Sequence, residues 1–379
     1  MKHYPVVLGS MLLSLLLCAC GPKNVSDIKN AKTETLTLND KETYKLVSDP
    51  SGNSGLAKLD GELILPVDYS RIQIIYRNEN RDNDIFIITD SGKKTGVANA
   101  QGKEIIGTDF DEISYHAFSS NSDTLEGFTV VELQPFRRGV YDIEGNEVLP
   151  CKFDEFGYAG KGYFSVITPK DGKNRKYHGV YKDGSEVIDC DYNDVEISGS
   201  ANGVLLTENK DGVNQRDYYL YDLEDGSKTP FTFKSPKVTD NYVTGTAHVN
   251  GAYREGLFDF KGNVIIPPGR FSKITEYKHY ILAGEASNRG YGVMFNPEMK
   301  EVFNDICVDL RPLPGTNLFS AYIDFKNGAY VDRYGVVTTS GEWYLPCEYR
   351  KIEVENGKIK AYHEYNQFQD NEYQEFPVK

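Results

Sequence analysis

The chain has 379 residues, with 42 Lys and Arg against 56 Asp and Glu, and a formal net charge of −14. An acidic balance of this kind gives no overall attraction to nucleic acid or to anionic lipid, so a nucleic-acid partner is not expected. With 35 Gly, 27 Tyr and 19 Phe but only 4 Met, residues typical of turns and strands dominate, which favours an all-β fold.

The N-terminal segment has the order of a secretory signal. A cationic start precedes the apolar run 6–17, which is shorter than the roughly 20 residues that a transmembrane helix needs. The following stretch Leu17-Cys18-Ala19-Cys20 resembles the lipobox of bacterial lipoproteins, with Cys18 departing from the usual small or β-branched residue. A plain secretory peptide is the alternative.

The lipobox resemblance implies that residues 1–19 are a signal peptide and that Cys20 is lipidated. The acyl chains would then hold the protein at a membrane. Because Gly21 follows, and not an aspartate, the resemblance also implies sorting to the outer membrane, on its periplasmic or its outer side. Residues 20–42 are polar, and we expect the lipidated N-terminus to continue into a flexible tether.

Residues 43–379 contain eight copies of one repeat. Each copy has an anchor residue, a glycine in seven copies and a tyrosine in the fifth. The anchors, 36 to 43 residues apart, are Gly55, Gly96, Gly139, Gly179, Tyr219, Gly256, Gly292 and Gly335. A period of this length is typical of repeat architectures such as propellers and solenoids.

The anchor of each copy begins a predicted β-hairpin. A short strand runs into a turn glycine, such as Gly145, and a second strand returns. In five copies a proline and an aromatic residue follow: Pro66 with Tyr69, Pro150 with Phe153, Pro230 with Phe233, Pro267 with Phe271, and Pro346 with Tyr349. We expect the proline to end the strand, because it cannot donate a ladder hydrogen bond, and the aromatic residue to fill the space between neighbouring repeats.

Two further strands complete each repeat, so the sequence predicts a β-propeller of about eight four-stranded blades. Strand candidates in the second position number nine, from 42–47 to 357–363. The surplus suggests that the first and last strands share one blade, which would hide the sheet edges. An open β-solenoid of hairpin repeats is the alternative. We expect a monomer.

The repeat pattern Gly-[Val/Leu]-aromatic-[Asp/Asn]-x-x-Gly-x-x-[Ile/Val]-x-Pro-x-[Tyr/Phe]-[Asp/Glu] resembles the WG-repeat family of bacterial envelope and secreted proteins. The resemblance covers Gly55 to about Val354. No copy has a tryptophan before the glycine; His178, Tyr291 and Tyr334 stand there in three copies, and Trp343 lies in another strand. The resemblance implies a binding or scaffolding module.

No catalytic or metal-binding motif stands out. The histidines have no metal-ligand spacing, and no Gly-x-Ser-x-Gly elbow occurs. We therefore predict no enzyme, no metal and no cofactor. The alternative is a propeller-type glycan-active enzyme of the glycosidase or sialidase class, which would need converging carboxylates with raised pKa values.

Cysteines recur just after the hairpins. Cys151, Cys190 and Cys347 take nearly the same place in their repeats, and Cys307 lies about three residues farther along its own. Equivalent positions in adjacent blades are usually too far apart for a disulfide, so we favour thiols that fill small apolar spaces. Cys151 and Cys190 are the possible disulfide, should one form.

Arginines precede the anchors on the connections that lead into them. The candidate binding face consists of Arg138, beside Arg137, together with Arg175, Arg216, Arg254, Arg289, Arg333, Tyr253 and Tyr330. Such connections emerge on one face of a propeller, where guanidinium groups could receive a carboxylate-bearing or sulfated partner and tyrosines could stack on sugar rings. The partner would be an unknown envelope protein or glycan. Alternatively, each arginine pairs with acids of the next blade.

Overall fold

The computed structural model describes residues 22–169, 176–209, 216–278, 280–285, 292–304, 309–326, 329–364 and 372–378. Apart from two 3-10 turns at Val25–Asp27 and Arg81–Asn83, the regular elements of these residues are strands. No helix within the described ranges is long and apolar enough to cross a membrane. The predicted signal peptide and Cys20 lie outside the described residues.

The strands form nine antiparallel sheets, numbered here in chain order. Sheets 1 to 3 contain β1 (Lys32–Leu38), β2 (Lys41–Ser48), β3 (Ser54–Ala57) and β4 (Leu63–Tyr69); β5 (Arg71–Ile75), β6 (Ile85–Thr89), β7 (Thr95–Asn99) and β8 (Glu104–Phe110); and β9 (Glu112–Ser119), β10 (Thr124–Leu133), β11 (Phe136–Asp142) and β12 (Glu147–Phe153). Sheets 4 to 6 contain β13 (Glu155–Gly160), β14 (Tyr163–Pro169), β15 (Lys176–Lys182) and β16 (Ser185–Tyr192); β17 (Asp194–Ile197), β18 (Gly203–Asn209), β19 (Arg216–Asp222) and β20 (Lys228–Phe231); and β21 (Lys234–Val238), β22 (Val243–Val249), β23 (Ala252–Phe258) and β24 (Val264–Ile266). Sheets 7 to 9 contain β25 (Phe271–Tyr277), β26 (Tyr280–Glu285), β27 (Val293–Phe295) and β28 (Glu301–Asn304); β29 (Asp309–Pro312), β30 (Leu318–Lys326), β31 (Ala329–Thr338) and β32 (Trp343–Tyr349); and β33 (Lys351–Glu355), β34 (Lys358–Tyr362) and β35 (Gln374–Pro377).

Each sheet is a meander in which strands pair in chain order. The predicted hairpins are the third and fourth strands of sheets 1 to 8; seven anchors lie on the third strand, and Gly292 directly precedes β27. Eight four-stranded sheets are therefore present, and the all-β fold of propeller blades is confirmed.

The two chain ends differ from the predictions. The first sheet is complete from β1 to β4, and β33 to β35 form a separate three-stranded sheet, so the prediction of one shared blade is wrong. Part of the predicted tether 20–42 is also ordered: Thr and Leu alternate along β1, which pairs with β2 from Lys32 to Leu38. This alternation gives the segment the period of a strand despite its polarity.

The core lies between consecutive sheets. Phe153 of sheet 3 is buried and contacts the ring of Tyr181 of sheet 4 with centroids 4.8 Å apart. The turn glycine Gly184 of sheet 4 has φ 77°, and its N–H donates to Val148 O on the fourth strand of sheet 3 at 2.9 Å. The predicted role of the aromatic residue between repeats is confirmed by Phe153.

The anchor glycine faces a three-residue bulge. In sheet 3, Arg138 pairs with Phe153 and Val140 with Leu149, so residues 150–152 lie opposite Gly139 alone. A Cβ on Gly139 would come within 2.7 Å of Cys151 N and Leu149 O. The same register recurs in sheets 1, 2, 4 and 8, so glycine is required there by close backbone approach.

The prediction that proline ends the strand is wrong in three copies and holds in the sixth. Pro66, Pro150 and Pro346 lie inside β4, β12 and β32, which continue to the aromatic residue, whereas β24 ends at Ile266, directly before Pro267. The fourth strand is the edge of its sheet, and the bulge interrupts the ladder where proline lacks its N–H.

The chain from residue 43 onward, predicted to be one domain, divides into two compact units. Unit 1 comprises the residues up to 114 with 128–135 and 143–145, and unit 2 comprises 115–127, 136–142 and the residues from 146 onward.

Candidate binding site

The turns between first and second strands contact one another at one end of unit 2. The carboxylate of Asp123 accepts hydrogen bonds from Tyr158 Oη and from the Lys161 backbone N–H, both at 2.9 Å. Lys161 Nζ donates to Ser200 O at 2.6 Å. Sheets 3, 4 and 5 are thereby joined through their turns, and we call this the turn end.

The same network reaches sheets 6 and 7. Asn121 Nδ2 of sheet 3 donates to Asp240 Oδ1 of sheet 6 at 3.3 Å. Asn241 donates to Glu276 of sheet 7 through its backbone N–H at 2.9 Å and through its amide. The opposite end is formed by the connections between second and third and between fourth and first strands. We call it the connection end.

The described candidate arginines lie on third strands, toward the connection end. Arg216 begins β19 and is exposed, whereas Arg138, Arg254 and Arg333 are half-buried. Arg254 Nη1 donates to Tyr253 O at 3.3 Å, and Arg333 Nη1 donates to Asp332 O at 3.2 Å.

Arg175 and Arg289 lie outside the described residues, as does the side chain of Tyr330. Tyr253 is 59 % exposed, and its ring meets that of His248 edge to face at 5.4 Å. Both aromatic rings flank the connection between β22 and β23, so Tyr253 is available for stacking.

Ion pairs follow the alternative prediction in part. Arg137 Nη1 lies 2.8 Å from Asp154 Oδ1, in the connection between sheets 3 and 4. Arg138 lies over the Phe136 ring at 4.9 Å. The Lys176 ammonium, with a smaller contribution from Arg138, lowers the pKa of the exposed Glu155 carboxyl. Arg137 thus has a structural role at this end.

The fifth repeat has no bulge. Tyr219 takes the place of the anchor glycine, and β19 pairs with β20 in an unbroken register, Tyr218 with Phe231 and Tyr219 with Pro230. The aromatic residue of this copy is therefore Phe231, because it pairs with the residue before the anchor; the sequence-based assignment of Phe233 is wrong. Phe233 packs on Phe258 with ring centroids 4.4 Å apart.

A cleft of about 550 Å³ lies where the other copies carry the bulge. Its wall is aromatic, with Tyr218, Phe231 and Phe233, and two cations, Arg216 and Lys234, line it with their side chains exposed. This cleft, the fifth-repeat cleft, combines apolar surface with positive charge, as small-molecule sites commonly do.

A second cleft of about 350 Å³ shares Arg216 with the first. Its other lining residues are polar: His178, Asn193, Asp194, Thr207 and Asn209. Asn193 Oδ1 accepts the backbone N–H of Asn209 at 2.7 Å, which fixes this polar cleft across β18 and the start of sheet 5. Unit 1 has its own cleft of about 450 Å³, lined by Arg71, Lys93 and Asp111 among others.

Two acids stand on β17 beside the polar cleft. Desolvation and the neighbouring Asp194 carboxylate raise the pKa of Glu196, while Lys237 lowers it. The described residues contain no group of three or more His, Cys, Asp or Glu that could hold a metal ion.

Cys151, Cys190 and Cys347 are present as half-buried thiols. A Cβ on Gly179 would lie 2.7 Å from Cys190 Sγ, and Cys347 Sγ lies 3.2 Å from Arg333 O. Each of these two sulfurs therefore faces the third strand of its own sheet, and the possible Cys151–Cys190 disulfide is not formed. Cys307 lies outside the described residues.

One repeat of the chain is similar to a known protein family. The family model described as WG containing repeat matches residues 139–173. The match begins at anchor Gly139 in β11 and ends past β14, so the matched segment comprises the last two strands of one sheet and the first two of the next. No curated protein matches the chain.

Solved structures with a similar arrangement have low identity to this chain. A eukaryotic initiation factor is 11% identical over 77% of this chain and 92% of its own, with a TM-score of 0.35. TolB from Acinetobacter baumannii is 12% identical over 72% and 77%, with a TM-score of 0.25. The β-propeller domain of the Trilobed protease from Pyrococcus furiosus is 13% identical over 72% and 93%, with a TM-score of 0.27.

The fifth-repeat cleft was not predicted from the sequence, except for Arg216. Two signals mark it: Tyr219 replaces the anchor glycine, and the spacing to the next anchor, Gly256, falls to 37 residues. Neither Lys234 nor Tyr218 belongs to a sequence motif that would identify it as a site residue.

Proposed function

We propose that this chain is a lipid-anchored binding or scaffolding module of the bacterial envelope that engages a protein or glycan through the connection end of unit 2. The observation that carries the proposal is the pair of adjoining clefts that share the exposed Arg216. The turn end supports it, because its turns bond to one another and the clefts with exposed cations lie among the connections instead.

A charge-removal experiment tests which end binds. The triple variant R138A/R216A/R254A removes cations from the connection end, and the matched variant K278A/K300A removes exposed lysines from turns at the opposite end. Each protein, carrying C20S to keep it soluble, is immobilised and exposed to solubilised envelope components. We expect capture to fall only with the arginine variant, since charge-assisted contacts to the partner are lost there. Equal capture by both variants would refute the proposal.

A separate experiment tests whether a lipid on Cys20 anchors the protein to the membrane. We expect wild-type protein to incorporate labelled fatty acid and to sediment with outer membranes, because several acyl chains bind a bilayer almost permanently. The C20S variant should carry no label and remain in the soluble fraction. Membrane association of C20S equal to that of wild type would contradict the lipid anchor.

A glycan-active enzyme is the second candidate, and the raised pKa of Glu196 beside Asp194 favours it. A carboxyl group that stays protonated can serve as a general acid in glycoside cleavage. If this function holds, wild type should release reducing ends from envelope glycans and E196Q should not. Absence of release by wild type would remove this candidate.

A further inference from the structure

We infer that the fifth-repeat cleft and the polar cleft together bind an acidic glycan, with a sugar carboxylate held at Arg216. The inference rests on the proposed function, which it makes more specific by naming the ligand class and the site. Three features support this inference: the loss of the bulge, the presence of cations and aromatic rings in one cleft, and the polar lining of the second cleft.

The lost bulge creates room that the other complete repeats lack. Opposite Gly139, three residues arch over the third strand and their backbone fills the space above the glycine. Opposite Tyr219, Pro230 pairs directly and the chain runs on to Phe231 without extra residues. The fifth-repeat cleft thus results from a change of register relative to sheets 1 to 4 and 8, and not from a smaller side chain.

The cleft offers a flat apolar wall beside positive charge. Phe231 is 6 % exposed and forms the floor, whereas Tyr218 is only half-buried and presents ring surface. Arg216 and Lys234 are exposed at the rim, and Asp217, half-buried, also lines the cleft. An arginine guanidinium receives a carboxylate through two parallel hydrogen bonds, and aromatic rings suit the C–H face of a sugar.

The polar cleft continues the site on the other side of Arg216. Asn193, Asn209 and Thr207 supply amide and hydroxyl groups, and Asp194, with a side chain 68% exposed, supplies an acceptor. These groups suit the hydroxyls of a neighbouring sugar. An acidic peptide would also satisfy the cations; the glycan is favoured because one sugar chain offers a carboxylate to Arg216, hydroxyls to the polar cleft and a C–H face to the aromatic wall.

Binding of three acidic oligosaccharides tests the inference: oligoglucuronate, oligogalacturonate and an alternating uronate and amino-sugar oligomer. Each is titrated by calorimetry into the full mature chain with C20S, next to its carboxyl-reduced neutral form and a polyglutamate peptide. We expect at least one acidic oligomer to bind, its neutral form to bind at least about tenfold more weakly, and R216A to lose about tenfold or more in affinity. K278A, which removes an exposed cation at the turn end, should bind as wild type does.

The outcomes separate this inference from the proposed function. Preferential binding of polyglutamate, or no binding of any acidic oligomer, overturns the acidic glycan while envelope capture through the connection end still stands. Acidic binding that R216A leaves unchanged overturns the site. Unchanged thermal midpoints of R216A and K278A show that both fold; K234A, a second exposed rim variant, repeats the test should R216A unfold.

Discussion

Replacing anchor Gly139 by alanine should destabilise unit 2. The new Cβ would lie 2.7 Å from Cys151 N, 2.7 Å from Leu149 O and 2.8 Å from Cys151 Cα, whereas ordinary contacts begin at 3.4 Å. All three neighbours are backbone atoms, so no side chain can rotate away and the three-residue bulge itself must shift. Overpacking of this kind costs about 1–3 kcal/mol. At about 2–4 °C per kcal/mol, the thermal midpoint should fall by several degrees.

The assay is thermal unfolding followed by far-UV circular dichroism, with G157A as the matched control. Gly157 is also a strand residue, but a Cβ there meets only Ser165 Oγ, at 3.1 Å. The control should stay close to wild type, because a hydroxyl can rotate and alanine restricts the unfolded chain. If G139A is as stable as G157A, the close backbone approach does not explain the anchor glycine.

Three other predictions concern buried groups, pH and thiols. Y44F should lower stability to urea by about 1–3 kcal/mol, because Tyr44 Oη donates to the buried Asp84 carboxylate at 2.8 Å; a midpoint equal to wild type would contradict this. Partial desolvation raises the pKa of the Asp123 carboxyl, but the hydrogen bonds that it accepts, the largest from the neighbouring tyrosine hydroxyl, outweigh desolvation and lower this pKa overall. The ionised Asp123 carboxylate therefore stabilises the folded state above the ordinary aspartate pKa of about 4, and this stabilisation is lost as the pH falls below it. Because D123N has no such group to protonate, its free energy of unfolding should fall less than that of wild type as acid is added. Finally, because Cys151 and Cys190 are thiols, a reductant should leave the thermal midpoint unchanged, and a shift would indicate a bridge.

Repetition made the hairpins predictable. Eight anchors at similar spacing place the third and fourth strands of every four-stranded sheet, and alternation places most of the others. The continuation of the strand past Pro150 could not be predicted from its own segment, because a bulge depends on which residues lie opposite it in the neighbouring strand. The polar strand Lys32–Leu38 was missed because its composition is that of a tether while its period is that of a strand.

The candidate site was predicted only in outline. Arg216, Arg254 and Tyr253 lie toward the connection end, since repeat position fixes the end of the strand that a residue occupies. The fifth-repeat cleft forms because Phe231 directly follows Pro230, whereas two residues separate the proline from the aromatic residue in copies such as Pro150 and Phe153. A search for side chains with suitable chemistry does not detect a strand shortened in this way.

The bond between Asn121 and Asp240 changes how the repeats should unfold. In a linear repeat protein each unit contacts only its neighbours, and stability spreads along the chain one interface at a time. Here sheet 3 holds sheet 6 across 119 residues of sequence, beyond its nearest neighbour. A hydrogen bond contributes about 0.5–1.5 kcal/mol net, so this link adds to sheets 3 to 6 a small coupling that an array of purely nearest-neighbour contacts lacks.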